Sequence, residues 1–335
     1  MTLSVGVGLT NACDLACAHC YRDPTRIDEL TLADVTAVCD ALPVGSMNLG
    51  TGENGLHPDY DTIVAALSAR GVKLSVTSNG LTLERSSDET LGKFREVEVS
   101  VDFPTEAEQD AFRGPGNWKR VMTAIERACR LGVTVTVLTV MMKPNHRRLA
   151  DIARVAFAAG ANYRVNVYQP VQTDAFTLTY DEFWDGFRRL LGEVRLVSTT
   201  EPILNAMLGA PFPDGTGCGR RTVRITPRGG VVPCVYWTDS ELRVADLAEA
   251  GEAGVLASRE FARVRQVPDA CRGCPFVASC HGGCAGRRRL SGGVEQPDPY
   301  CPLVHGRTVA LDWARADARE LLKSGSACTS VFTRA

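Results

Sequence analysis

Three cysteines, Cys13, Cys17 and Cys20, stand three and then two residues apart near the start of the chain. One tight loop with that spacing can hold three irons of a cubane iron–sulfur cluster, whose closed form takes four thiolates. Three thiolates leave one iron open, and an open coordination position is what separates catalytic from structural metal centres. An open iron can chelate a ligand that presents an amine and a carboxylate. Zinc binding, or no metal at all, is the competing reading of the triplet taken alone.

A second set of seven, Cys218, Cys234, Cys271, Cys274, Cys280, Cys284 and Cys301, occupies the C-terminal third. Residues 268–302 are dense in Cys, Gly and Pro and cannot build a conventional apolar core, so bound metal is expected to hold them. A pair of zinc sites is the alternative, because Cys-x2-Cys followed by Cys-x3-Cys also suits zinc. Cys39 and Cys129 fall on apolar helix faces, where free cysteine buries readily. Cys328 falls in a polar C-terminal stretch expected to be a disordered end. With 13 cysteines in a chain expected to be cytoplasmic, metal or redox chemistry takes precedence over structural disulfides.

The elements that must position these residues alternate. Strand candidates at 3–9, 47–50, 73–77, 97–101, 133–140 and 163–168 are separated by amphipathic stretches at 35–42, 60–69, 118–130 and 147–159. Thr31 and Asp34 read as a helix start. Alternation of this kind predicts an α/β fold with a parallel sheet, and six such units suggest a partial (β/α)6 barrel of TIM-like type. In barrels the chemistry gathers at the carboxyl ends of the strands. Beyond Glu201 the pattern changes to a helix at 202–208, a loop-rich boundary at 211–217 and a β-hairpin (221–227 and 231–237) turning at Gly229-Gly230. Residues 308–322 are expected to form a closing helix and 323–335 a polar tail.

At 335 residues the chain suits one large domain and a smaller appendage. A net charge of −2 offers no field to recruit nucleic acid or an anionic membrane. The N-terminus lacks the basic residues and apolar run of a signal peptide, and no stretch reaches the roughly 20 apolar residues that span a bilayer.

Cys-x3-Cys-x2-Cys after a first strand resembles the signature of the radical S-adenosylmethionine (SAM) superfamily. The resemblance implies that SAM binds the open iron through its amino and carboxylate groups. Electron transfer then breaks a C–S bond to give methionine and a 5′-deoxyadenosyl radical. Gly50-Thr-Gly-Glu53, after the second strand, resembles the family's Gly-Gly-Glu motif, with Glu53 meeting the SAM amino group and Gly52 permitting close backbone approach. Thr51 replaces the usual glycine and Asn54 the usual proline. Ser78 and Asn79 after the third strand, and Ser100 and Asp102 on the fourth, resemble the polar residues around the methionine and ribose parts. Asn145 is a candidate of the same kind, and His19 occupies a position often near the adenine. Each of the four polar residues also reads as a plain strand-end cap.

The seven later cysteines resemble the SPASM extension of this family, which holds two auxiliary 4Fe–4S clusters. That implies three 4Fe–4S clusters in all, a partial barrel at 1–200, a small Cys-rich SPASM domain at 201–305, and a C-terminal helix and tail at 306–335. In the family's scheme one auxiliary cluster takes Cys271, Cys274, Cys280 and Cys301, and the other takes Cys218, Cys234 and Cys284. The second is one ligand short. Its fourth position is open, solvent- or substrate-bound, or filled by His281 or His305. Within this reading Cys328 is also a candidate hydrogen-atom donor to a substrate radical.

The sixth strand points Arg164, Asn166 and Tyr168 to one face by its period of two, and with Gln169 they are the candidate substrate residues. The expected reaction is hydrogen abstraction from a substrate carbon during maturation of a ribosomally made peptide natural product. The alternatives are radical dehydrogenation, epimerisation or decarboxylation of a sugar, nucleoside or aminoglycoside intermediate, and a non-enzymatic iron–sulfur electron carrier. Expected partners are a reductant such as flavodoxin or ferredoxin and, because the chain begins almost directly with its first strand, a separate leader-peptide recognition protein.

Overall fold

Six short runs, β5 the richest in β-branched residues, become the parallel strands β1 (Leu3–Val7), β2 (Val44–Leu49), β3 (Lys73–Ser78), β4 (Phe94–Ser100), β5 (Thr134–Met141) and β6 (Asn162–Val167). The computed structural model describes residues 2–209, 217–316 and 328–334. The six strands pair in chain order, all parallel. Parallel pairing requires a crossover, and helices supply it at Leu32–Ala41, Tyr60–Ala69, Asn117–Arg130 and Leu149–Ala158, among others. The result is the six-unit partial β/α barrel. Its strands are apolar because helices cover them: Val5, Val76, Val97, Val99 and Val165 are all buried.

The first helix starts as read, with a reciprocal capping box between Thr31 and Asp34. A second box, Thr179 with Glu182, opens the helix Tyr180–Leu191, which the sequence reading missed. Such a cap is worth about 1 kcal/mol.

Five further strands extend the sheet: β7 (Arg195–Thr199), β8 (Thr222–Ile225), β9 (Val231–Val232), β10 (Ala314–Arg315) and β11 (Thr329–Thr333). Among the described residues the sheet has 11 strands in the order β10-β7-β11-β6-β5-β4-β3-β2-β1-β8-β9. The expected hairpin is β8 and β9, and β8 adds in parallel to β1, so the C-terminal region grows directly from the barrel's first strand. No helix among the described residues is long and apolar enough to cross a membrane.

Two expectations for the C-terminus need correction. The closing helix is absent over 308–316, where the chain is irregular and ends in β10; its remaining residues lie outside the described part, as do most of the 211–217 boundary and residues 323–327 of the tail. The end of the polar tail is a buried strand, β11, inserted antiparallel between β6 and β7. Its polarity is absorbed locally. Ser330 Oγ lies 2.7 Å from Thr199 Oγ1, Thr329 N donates to Thr200 Oγ1 at 3.0 Å, and Phe332 packs into the main core.

One buried ion pair fastens the Cys-rich region to the barrel. The guanidinium of Arg287 reaches Glu201 at 2.7 Å and Asp298 at 2.6 Å, and stacks 4.7 Å from the ring centre of Tyr300. Tyr300 in turn stacks on Phe183, and its carbonyl accepts from Trp184 Nε1 at 3.0 Å. All three charged groups are buried, so removing one strands the others without solvent. Arg287→Met is expected to lower the anaerobic urea-unfolding free energy by about 3–5 kcal/mol, the usual cost of breaking a buried pair from one side. A loss under about 1 kcal/mol would show that the Arg287 pair does not hold the two regions together.

Candidate active site

The loop after β1 is closed on itself before it presents any thiol. Asn11 Nδ2 donates to the carbonyls of Asp23 (2.9 Å) and Arg26 (2.7 Å), and Asn11 Oδ1 accepts from Asp28 N at 2.7 Å. Arg22 clamps the carbonyls of Asn11 and Leu15, each at 2.9 Å. On this frame Cys13, Cys17 and Cys20 open onto one cavity at the carboxyl end of the strands, with Cys20 N donating to Cys17 O at 3.0 Å. None of the three forms a disulfide. Burial pushes the Cys13 thiol up to about 11, and Cys17 is also raised by burial, with Arg113 opposing the rise. Bound metal reverses that balance, because coordinated thiols are deprotonated. Three free thiols on one concave wall fit three irons of a cluster.

The Gly50–Glu53 segment locks this loop to the third strand. Glu53 N donates to Ala12 O at 2.7 Å. The Glu53 carboxylate is buried and accepts four hydrogen bonds: Oε2 from Ser78 Oγ (2.7 Å), Thr82 Oγ1 (2.6 Å) and Thr82 N (3.0 Å), and Oε1 from Asn79 N (2.5 Å). Burial pushes this carboxyl up, and the same donors oppose the shift. Gly52, at φ +61°, is required by the chain itself: a Cβ there would run into the Ala12 carbonyl oxygen. The close approach expected at Gly52 is therefore to the cysteine loop. Thr51 takes the strained φ of +97° that a glycine would occupy freely. Its hydroxyl is held at 2.9 Å from Tyr21 OH and also by Arg224, whose guanidinium bonds Gly50 O as well.

The other expected residues divide. Asn79 joins the turn to the loop, its Nδ2 lying 2.8 Å from Asp14 Oδ1 and 3.8 Å from Cys13 Sγ. Ser78, Asn79, Ser100 and His19 line the cavity. His19 stacks 4.9 Å from Phe112, and its pKa is lowered to about 4 by burial, so the ring is neutral at pH 7. Asp102 does not line the cavity. It is fully buried, binds Arg113 Nε at 2.8 Å and accepts from Val140 N at 3.0 Å; a bare carboxylate at that depth needs such partners. Asn145 likewise serves the backbone, donating to Asp102 O at 3.1 Å and Val140 O at 2.9 Å.

On the opposite wall Asn166, Tyr168 and Gln169 line the same cavity. Arg164 shares their strand face but sits deeper and is not on the wall. It is fully buried between Glu96 (3.2 Å) and Glu98 (3.4 Å), a structural ion cluster inside the barrel. Sequence reasoning did not single out Tyr21, Arg22, Glu98, Arg113 or Arg224, all of which reach the cavity. They come from four separate segments, and nothing in their local sequence marks the convergence.

The later cysteines form two neighbourhoods. Cys271, Cys274, Cys280 and Cys301 gather on the Cys-rich loop. Burial raises Cys271, Cys280 and Cys301, and each also feels the charge of at least one other thiol of the group. Cys218, Cys234 and Cys284 meet where β8, β9 and the helix Ala285–Leu290 come together, with Cys234 and Cys284 buried. His305 is engaged elsewhere, its Nε2 lying 2.8 Å from Pro299 O and its ring tilted against Tyr180 at 4.3 Å between centres. Cys328, expected in a disordered end, is buried at the head of β11.

Residues 7–156 match the family model of the radical SAM superfamily, and residues 217–275 match that of SPASM, an iron–sulfur cluster-binding domain. The chain belongs to the radical SAM superfamily and carries a SPASM domain; it is a radical SAM enzyme whose cofactors are SAM and iron–sulfur clusters. It is 26% identical over 322 residues to mycofactocin maturase MftC of Mycolicibacterium smegmatis, covering 88% of this chain and 81% of the relative. It is 28% identical over 329 residues to the PqqA peptide cyclase of Xanthomonas euvesicatoria pv. vesicatoria, covering 89% and 87%. The structure of anSMEcpe with bound AdoMet has the same fold, with a TM-score of 0.70 at 16% identity, covering 90% of this chain and 94% of that one.

Because Gly52 packs on the Thr10–Ala12 backbone, Gly52→Ala is expected to displace the cysteine loop. Iron bound at Cys13, Cys17 and Cys20 should fall several-fold, while iron bound by the C-terminal cysteines stays. Iron analysis with EPR in the presence and absence of SAM reads both. A variant with full SAM-responsive iron would show that the loop tolerates the side chain.

Proposed function

We propose that this chain modifies a ribosomally made peptide by abstracting a hydrogen atom from one of its carbons. The observation that carries the reading is a single cavity with three thiols and a buried carboxylate on one wall and Asn166, Tyr168 and Gln169 on the other. Together the cluster and SAM supply one chemistry when bound: one-electron reduction breaks the cofactor's C5′–S bond, giving methionine and a 5′-deoxyadenosyl radical that takes the hydrogen.

The chain's own residues do the rest. Cys13, Cys17 and Cys20 hold three irons and leave the fourth facing the cavity. Oε1 of Glu53 accepts one protein hydrogen bond and keeps a lone pair for the cofactor's ammonium, while Oε2 is committed to Ser78 and Thr82. Asn79 and Ser100 offer polar contacts to the methionine and ribose parts, and the neutral ring of His19 borders the adenine. Arg113 is a positioning residue, held by Asp102 beside Cys17. Asn166, Tyr168 and Gln169 orient the substrate. Cys271, Cys274, Cys280 and Cys301, and Cys218, Cys234 and Cys284, would hold two auxiliary 4Fe–4S clusters, which would supply electron-transfer chemistry between the site and a flavodoxin- or ferredoxin-type carrier. A peptide substrate is supported by relatives named as a maturase and a peptide cyclase that align with nearly nine-tenths of the chain.

The test uses anaerobically reconstituted protein, a reductant, SAM, and deuterated small peptides encoded beside the gene. Deuterium is expected in the 5′-deoxyadenosine released. Cys17→Ala should abolish SAM cleavage, and Cys274→Ala should lose auxiliary iron and peptide product while retaining uncoupled cleavage. Full cleavage by Cys17→Ala would refute the cluster assignment, and turnover of a sugar or nucleoside with no peptide present would refute the peptide reading.

A further inference from the structure

We propose that Cys328 is the fourth thiolate of the auxiliary cluster held by Cys218, Cys234 and Cys284, so that the C-terminal strand closes that cluster. The inference rests on the auxiliary-cluster reading above and adds to it a ligand outside the seven-cysteine pattern.

The geometry comes from β11. Because that strand is wedged between β6 and β7, its first residues are carried to the start of the Cys-rich region, beside Thr200. There the Cys328 side chain is buried, and its Sγ lies 3.9 Å from Cys284 Sγ. Cys218 and Cys234 pack together beside them, in the cluster that also holds Tyr236 and Ala285. The Tyr236 phenol, packed in the same pocket, lies within electrostatic reach of Cys234, Cys284 and Cys328. The Cys284 and Cys328 thiols thus face each other, with Cys218 and Cys234 in the adjoining cluster around Ala285.

A disulfide is not what gathers them, since an S–S bond spans about 2.05 Å, and every cysteine is free. A buried cysteine acting only as a small hydrophobe has apolar neighbours. The Sγ of Cys328 instead faces the thiol of Cys284, one of the three already needed for metal. His305 Nε2 lies 2.8 Å from Pro299 O and is already engaged there, whereas Cys328 Sγ faces Cys284 Sγ. Ligation forms one Fe–S bond and releases the thiol proton to solvent. Four thiolates close a 4Fe–4S cluster, which leaves this centre to carry electrons, with no iron free to bind substrate.

The test isolates the auxiliary clusters in full-length protein carrying Cys13→Ala, Cys17→Ala and Cys20→Ala, reconstituted anaerobically. Iron, sulfide, EPR and Mössbauer spectra are read with and without cyanide, a small ligand for open iron sites. The parent is expected to be indifferent to cyanide. Adding Cys328→Ala should shift the EPR of one cluster and make it cyanide-sensitive, or lose roughly four irons per chain. Cys328→Ser should keep the iron with shifted g values, and Cys39→Ala should match the parent. Cys328→Ser or Cys328→Ala spectra identical to the parent, or a parent already perturbed by cyanide, would overturn the assignment. A parent without auxiliary iron would overturn both the assignment and the reading beneath it.

Discussion

The buried carboxylate of Glu53 is the constraint on which the site depends. Its backbone N–H holds the cysteine loop at Ala12, and its two oxygens gather Ser78, Asn79 and Thr82 at the end of β3. Asn79 then reaches back to Asp14 and Cys13. Three strand ends are fixed relative to one another by one anion, and the first thiol is placed by the same set of bonds. An isolated carboxylate at this depth would be strongly unfavourable, so the four donors are a condition of the fold as well as of the site. Because charged acceptors bind their donors more strongly than neutral ones, the arrangement resists rearrangement when cofactor enters.

The barrel interior is unusually ionic for a parallel sheet. Arg164 lies between Glu96 and Glu98, Thr77 and Thr136 each donate to one of those carboxylates, and Asp102 holds Arg113. Glu98 and Thr77 form the floor of the cavity, so this cluster sets the polarity beneath the reacting groups. Further along the chain, Arg287 with Glu201 and Asp298 repeats the device at the junction with the Cys-rich region. Asp298 also accepts from Cys284 N at 2.8 Å, so the junction and the thiols are positioned by one carboxylate.

Much of this was legible in the sequence. The alternation of short strand-like runs with amphipathic stretches pointed to the parallel strands, and the cysteine spacing to the metal chemistry. Thr31 and Asp34 marked a helix start that the structure shows as a capping box. The equally clear Thr179 and Glu182 box was present in the sequence and went unread. What stayed hidden is non-local. Period-two alternation placed Arg164 on the same face as Asn166 and Tyr168, but alternation fixes a face and carries no information about depth. Asp102 read as a cofactor contact because strand ends in barrels carry function, yet its partners are Arg113, one helix on, and Val140 on the next strand. The strand Thr329–Thr333 is short and half polar. Its burial is decided by β6 and β7 on either side, which no local pattern reports.

The most direct measurement is electron–nuclear double resonance on the reduced protein, with SAM labelled by 15N at the amino group and 17O at the carboxylate. The account predicts hyperfine coupling of both labels to an iron of the N-terminal cluster, lost when Cys13, Cys17 and Cys20 are replaced. A reducible cluster in that loop with no coupling to either label would contradict it.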